Sequence, residues 1–261
     1  MDKVRIESLG DELYDALRSR NVVDPLTKRE PDITIEDAYQ ISRRMVARRL
    51  DDGERIIGKK IGVTSKAVQD MLDVHQPDFG FLTDRMVYGT ADELPISTEL
   101  IQPRAEGEIA FVLKHGLEGP GVSSADVMRA TEGVMPCFEI VDSRVRDWKI
   151  NIQDTVADNA SCGLIVLGDA LVDPRDVDLS TCGMVVERNG ELAATGAGAA
   201  ALGSPVNCVA WLANTLGRFE IPLRAGEVIL SGSLVPLLPI EAGDSMTLSV
   251  GGIGTASVRF V

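Results

Sequence analysis

From about Leu100 to the C-terminus the sequence alternates short apolar runs with turn residues, and that rhythm restricts the fold more than any other feature. EIAFVL, PCFEIVDSR, CGLIVLG, GMVVERNGELAATG, EVILSG, SMTLSV and TASVRFV all have the length and the β-branched content of strands. Asn189-Gly190, inside one of these runs, is a hairpin signal because both residue types accept the positive φ of a tight turn. Only two helical stretches interrupt this part. One runs from Ser124 towards Gly133. The other is PVNCVAWLANTL, with Ser204 as cap, Pro205 at the first helical position and Gly217 as stop.

The first part of the chain reads differently. Ile6, Leu9, Leu13 and Leu17 recur at helical spacing, and so do Ala38, Ile41, Met45 and Leu50. Thr34 with Asp37 three residues on resembles a capping box for the second of these helices. RIIGKKIGVTS reads as a strand and turn, Ser65 as the cap of a short helix through Met71 and Leu72, and PDFGFLTDRM as a loop broken by Pro77 and Gly80. Helices followed by strands, without regular βαβ alternation, predict an α+β fold. The expected division is a mainly helical region over 1–95 and a β-rich catalytic domain over 96–261.

Composition narrows the function. With 26 Lys+Arg against 40 Asp+Glu the net charge is −14, which argues against nucleic acid or an anionic membrane surface as partner. No apolar run approaches the roughly 20 residues of a membrane span, and the N-terminus lacks a signal-peptide core, so a cytoplasmic protein is expected. Cys137, Cys162, Cys182 and Cys208 form no CxxC pair and read as reduced core or pocket thiols. The two histidines are His75, at a helix end, and His115, in the turn KHGLEGPG. A metal held by this chain therefore takes oxygen ligands, which points to Mg²⁺ or Mn²⁺.

The stretch RAEGEIAFVL places Glu106 and Glu108 on either side of Gly107 at the start of an apolar strand, and strand alternation projects both from one face. Glu139 lies mid-strand in PCFEIVDSR. Such carboxylates face water, share a proton or surround one hard cation, since like charges are costly to bury uncompensated. In GKKIG the alternation sends Lys59 and Lys60 to opposite faces, so one can point inward while the other stays outside as a surface cation. GAGAAALG lacks the spacing and βαβ setting of a nucleotide loop, so close packing against the following helix is expected there and no nucleotide cofactor.

RAEGEIAFVL followed about thirty residues later by CFEIVDSR resembles the E-x-E…E metal triad of the fumarylacetoacetate hydrolase superfamily. IGKKIGVTS (57–65), QPDFGFL (76–82), DNASCGLIVLG (158–168), GAGAAALGSPVNCVAWLAN (196–214) and GEVILSGSLVP (226–236) narrow the similarity to its hydratase/decarboxylase branch. The resemblance covers nearly the whole chain. It implies a mixed β-roll, homo-oligomeric assembly, and metal ligands at Glu106, Glu108 and Glu139. It also implies a pocket lysine at Lys60, an acid/base or water-orienting carboxylate at Asp78, and substrate contacts at Ser161 and Asn159, beside Asp158.

The activity implied is metal-dependent hydration of 2-hydroxypenta-2,4-dienoate to 4-hydroxy-2-oxopentanoate in meta-cleavage catabolism of aromatic compounds. A carboxylate and its neighbouring C2 oxygen suit chelation of a divalent ion, which stabilises charge developing at C2. The alternatives are 4-oxalocrotonate decarboxylase and a structural partner of that decarboxylase, with complex formation also expected alongside catalysis. Asp78 favours hydration, which needs a group to activate water.

Overall fold

The computed structural model describes residues 1–71 and 74–261. Its helices are α1 (Lys3–Ser19), α2 (Leu26–Arg29), α3 (Ile35–Asp51), α4 (Lys66–Met71), α5 (Ile96–Glu99), α6 (Ser124–Ala130), α7 (Ile152–Ala157) and α8 (Pro205–Gly217). The strands are β1 (Ile56–Gly62), β2 (Asp78–Thr83), β3 (Val87–Gly89), β4 (Glu93–Leu94), β5 (Pro103–Leu113), β6 (Thr131–Asp142) and β7 (Cys162–Leu167). They continue with β8 (Gly183–Arg188), β9 (Glu191–Ala197), β10 (Val228–Leu230), β11 (Leu238–Pro239), β12 (Ser245–Val250) and β13 (Gly254–Phe260).

The strands make two mixed sheets. The larger runs β2-β1-β10-β5-β6-β7-β3, with β11 added beside β5. The smaller runs β4-β13-β12-β8-β9. The long central pair β5–β6 sets Glu106 opposite Glu139 and Glu108 opposite Cys137. Alternation then puts Glu106, Glu108 and Ala110 on one face of β5 and Ala105, Gly107, Ile109 and Phe111 on the other. The second face packs on the smaller sheet: a β-carbon at Gly107 would lie 2.6 Å from Met184 Sδ. The glycine between the two glutamates therefore answers a packing demand behind the site. On the glutamate face, Leu82, Met86, Ala110, Cys137, Cys162, Ile165 and Leu230 fill the hollow of the large sheet with an apolar plug.

The α+β class holds, and the Thr34 capping box is present, with Thr34 Oγ1 accepting from Asp37 N at 3.1 Å. Asn189 and Gly190, at φ 55° and 79°, turn the β8–β9 hairpin. Several local expectations need correction. Asp78–Thr83 is a fully buried strand and no loop, because Gly80 meets a close approach and makes no turn: a β-carbon there would lie 2.5 Å from the Asn159 carbonyl oxygen and 2.9 Å from Cys162 Sγ. Leu50 is exposed, and Arg49 takes the buried place through Glu54. The α6 helix stops at Ala130, where β6 begins. Ser204 precedes α8 without a side-chain capping bond. Gly196 and Gly198 press on the carbonyls of Leu234 and Leu179, not on α8. The expected helix reaching Leu72 is seen as Lys66–Met71, and Leu72 lies outside the described residues.

Residues 1–51 carry α1, α2 and α3, yet β1 to β4, which precede residue 96, pair into both sheets. The hydrophobic core is correspondingly continuous from Leu9 of α1 to Phe260 of β13. All four cysteines are buried and unpaired.

Candidate active site

Glu106, Glu108 and Glu139 each offer a carboxylate oxygen, and these oxygens lie within 4.8 Å of one another. Glu108 and Glu139 are buried and Glu106 is partly open to a cavity of about 750 Å³. Among the described residues, the buried side-chain oxygens without a hydrogen-bond partner are Asp78 Oδ1, Glu108 Oε1 and both oxygens of Glu139. Burial pushes the Glu106 carboxyl up to about 7, helped by the neighbouring Glu139, and burial with the same neighbour drives Glu108 upward too. Such oxygens without donors are what a divalent cation with hard-ligand preference satisfies. The donor set fits Mg²⁺ or Mn²⁺.

Three hydrogen bonds from one turn fix Glu108 and the strand on either side of it. Gly232 N donates to Glu108 Oε2 at 2.8 Å. Ser231 Oγ donates to the carbonyl of Ile109 at 2.7 Å and Ser233 Oγ to that of Gly107 at 3.3 Å, so the SGS turn clamps β5 on both sides of Glu108. At φ 92°, and with Thr64 pressed where a β-carbon would go, position 232 requires glycine.

Lys60 points inward as expected. It pairs with Gly80 and Leu230 in the sheet, and its Nζ lies 3.2 Å from Glu139 Oε1, near enough for an ion pair without hydrogen-bond alignment. Burial opposes its charge, but Glu139, Cys162, Asp78 and Glu106 together hold its pKa well above the ordinary lysine value. Lys59 faces the other way yet is also buried, with Nζ 2.6 Å from Glu227 Oε2, so it is not the surface cation expected. Asp78 stands across β1–β2 from Gly62, where a β-carbon would fall 2.3 Å from Asp78 Oδ1 and 3.3 Å from Lys60 Nζ. Gly62 thus leaves the room that Asp78 occupies beside Lys60. Burial raises the Asp78 carboxyl above its ordinary range against the pull of Lys60.

The opposite wall is a turn over Asn159–Ser161 with three successive left-handed residues, at φ 53°, 52° and 54°. Non-glycine residues adopt this conformation at a cost of roughly 1–2 kcal/mol each, so the turn needs support. Arg144 supplies it. Wholly buried, it reaches Asp158 Oδ1 at 2.5 Å, the Asp158 carbonyl at 2.6 Å and the Cys162 carbonyl at 2.8 Å. Asn159 supplies the rest, because its Nδ2 donates to the Phe81 carbonyl at 3.0 Å and its Oδ1 accepts from Phe81 N at 2.8 Å. Its amide is thereby taken up by β2, while Ala160 and Ser161 line the cavity. Ser161 Oγ lies 3.2 Å from Thr155 Oγ1, another lining hydroxyl.

The structure brings Lys60, Asp78, Glu106 and Ser161 to one cavity, and carboxylate oxygens of the buried Glu108 and Glu139 lie within 4.8 Å of one on Glu106. His75 and His115 are exposed and line no part of it. The sequence reading missed Arg144, Thr155 and Gly232. An arginine two residues beyond a buried strand aspartate carried the signal for Arg144, but its partner fourteen residues later did not declare itself.

A model of the fumarylacetoacetate (FAA) hydrolase C-terminal family matches residues 56–261. The chain is 72% identical over 221 residues to a 2-hydroxypent-2,4-dienoate hydratase of Pseudomonas putida, covering 85% of this chain and 100% of that one. It is 60% identical to a 2-hydroxyhexa-2,4-dienoate hydratase of Comamonas testosteroni, covering 99% of this chain and 98% of the relative. Among solved structures, a 4-oxalocrotonate decarboxylase from Pseudomonas putida G7, complexed with magnesium and adipate, superposes with a TM-score of 0.97 at 34% identity, covering 100% of this chain and 99% of that one. The sheet that carries the glutamates begins at β1, where the family match also begins, and on this agreement the chain belongs to the fumarylacetoacetate hydrolase family.

Proposed function

We infer that the protein hydrates 2-hydroxypenta-2,4-dienoate to 4-hydroxy-2-oxopentanoate in the meta-cleavage breakdown of aromatic compounds. The observation that carries this reading is the meeting of three donor-poor carboxylates with Lys60 and Asp78 at one cavity. The names of the two relatives support the substrate class.

Glu106, Glu108 and Glu139 would hold Mg²⁺ or Mn²⁺. When bound, such an ion supplies a Lewis acid to the C2 oxygen of a 2-hydroxy or 2-oxo acid. Beside the triad, Lys60 offers a charged N–H to that same oxygen as it takes on negative charge. Conversion of the dienol to the 2-oxo-3-enoate removes the enol proton and places one on C5. Water oxygen then bonds to C4, its surplus proton departs, and C3 gains a proton. Asp78 is the carboxyl positioned to exchange the proton of that water, with Lys60 as its neighbour. Ser161, oriented by Thr155, donates to the substrate carboxylate, and Asn159 holds the turn that presents it.

A second reading, decarboxylation of 4-oxalocrotonate, is favoured by the close superposition on the Pseudomonas putida G7 enzyme. Asp78 weighs against it, because loss of CO₂ needs no group to activate water. We extend the hydratase reading to a cytoplasmic homo-oligomer that associates with 4-oxalocrotonate decarboxylase. The four unpaired cysteines and the half-exposed edge strand β9 support that setting.

Product analysis separates the two chemistries. With Mg²⁺ present, 2-hydroxypenta-2,4-dienoate should gain the mass of one water. Release of CO₂ from 4-oxalocrotonate, with no hydration of the dienoate, would transfer the assignment to the decarboxylase.

A further inference from the structure

Arg104 lies on β5 two residues before Glu106 and four before Glu108, so alternation projects all three from one face. At ~3.3 Å per residue its α-carbon lies about 7 Å along the strand from that of Glu106. It lines the same cavity, and among the described residues it pairs with no carboxylate. Of the other charged groups on the cavity wall, Lys60 faces Glu139, Asp78 stands beside Lys60, Glu106 belongs to the triad, and Asp147 accepts from Lys149 Nζ at 2.9 Å.

The Arg104 guanidinium carbon sits 4.6 Å from the centre of the Trp148 ring. Contact through the π-face leaves the in-plane N–H fork free, and that fork matches a carboxylate in a bidentate manner. Trp148 is itself held. Its Nε1 donates to the Gln102 carbonyl at 3.0 Å, and the Gln102 side chain donates to the carbonyls of Ser143 and Val145 and accepts from Asp147 N at 2.8 Å. Asp147 and Trp148 adopt left-handed conformations, at φ 57° and 55°, which Gln102 stabilises. The cation is thus stacked on a fixed platform two residues along β5 from Glu106, with its donors unspent. The cavity, at about 750 Å³, has room beyond a five-carbon acid.

We propose that Arg104 is a second anion receptor, which takes the far carboxylate of a six-carbon 2-oxo or 2-hydroxy dicarboxylate whose near end is held at Glu106, Glu108 and Glu139. It determines specificity at the distal end of the cavity, and the site accepts dicarboxylic as well as monocarboxylic 2-oxo acids. The inference rests on the triad holding the 2-oxo acid end.

Titration calorimetry with Mg²⁺-loaded protein tests it, using oxalate, 2-oxohexanoate and 2-oxohexanedioate as probes. Oxalate is too short to reach Arg104, and the other two differ only in the far carboxylate. The dicarboxylate should bind about tenfold or more tightly than the monocarboxylate, as expected for charge-assisted hydrogen bonds. Arg104→Met should abolish that advantage while oxalate still binds, which also shows that the variant is folded. Arg104→Lys, which keeps the charge and loses the fork, should retain part of it. Equal binding of the two six-carbon acids by the wild-type protein would overturn the proposal, and so would an Arg104→Met variant that loses all three probes equally. Failure of oxalate to bind the wild-type protein would overturn the triad reading beneath it as well.

Discussion

Asn159 and Phe81 are joined by a reciprocal pair of hydrogen bonds in which a side-chain amide takes the place of a neighbouring strand: Oδ1 accepts from the Phe81 N–H and Nδ2 donates to the Phe81 carbonyl. The pair ties β2, which carries Asp78, to the turn that carries Ser161. Two walls of the cavity are thereby held by one residue.

Asn159→Ala should leave two buried backbone groups unpaired and destabilise the protein by about 2 kcal/mol or more, read as a lower denaturant midpoint. Ser161→Ala should behave differently. Its hydroxyl meets only Thr155 among the described residues, so stability should change little while KM for the dienoate rises several-fold. Equal loss of stability in both variants would contradict this division of labour.

The glutamate triad sets stability against function. Without a cation, Glu108 and Glu139 are buried with unsatisfied oxygens and repel one another. Glu108→Gln should therefore raise the melting temperature of the metal-free protein by a few degrees. Added Mg²⁺ should raise the melting temperature of the wild-type protein and leave the variant nearly unchanged. A less stable metal-free variant would contradict the proposed repulsion.

Acid stability should follow the surface caps. Ser123 and Arg129 hold the Asp126 carboxyl down at about 2, below its ordinary 3.8. A depressed folded-state value means that the contribution is complete above about pH 4 and is lost as pH falls towards 2. The melting temperature of Asp126→Asn should therefore lie below that of the wild-type protein at pH 6, and the difference should close between pH 4 and pH 2. A difference that persists at pH 2 would show that the cap acts without its charge.

Much of this site was legible because it depends on strand alternation. Glu106 and Glu108 share a face, and Lys59 and Lys60 take opposite ones, for no reason beyond the pleat. The Thr34 cap and the Asn189-Gly190 turn are likewise local. What escaped was long-range. Gly80 read as a loop residue, since nothing nearby shows that Asn159 and Cys162 press on it from a distant part of the chain. Arg144 looked like an ordinary charge after a strand, and its complete burial depends on Asp158 and on two carbonyls that only the fold brings together. Lys59 looked solvent-facing for the same reason, because Glu227 lies 168 residues away. Gly107, between the glutamates, was explained only by the second sheet packing behind it.

The most direct test of the account is the decay of the ultraviolet absorbance of fresh 2-hydroxypenta-2,4-dienoate, followed for the wild-type protein and for Glu106→Gln, each with and without Mg²⁺. The account predicts rapid decay to the hydrated 4-hydroxy-2-oxo acid only for the wild-type protein with metal, with the rate reduced by at least about a hundredfold in the variant. Undiminished hydration by Glu106→Gln, or by wild-type protein stripped of divalent ions, would contradict it.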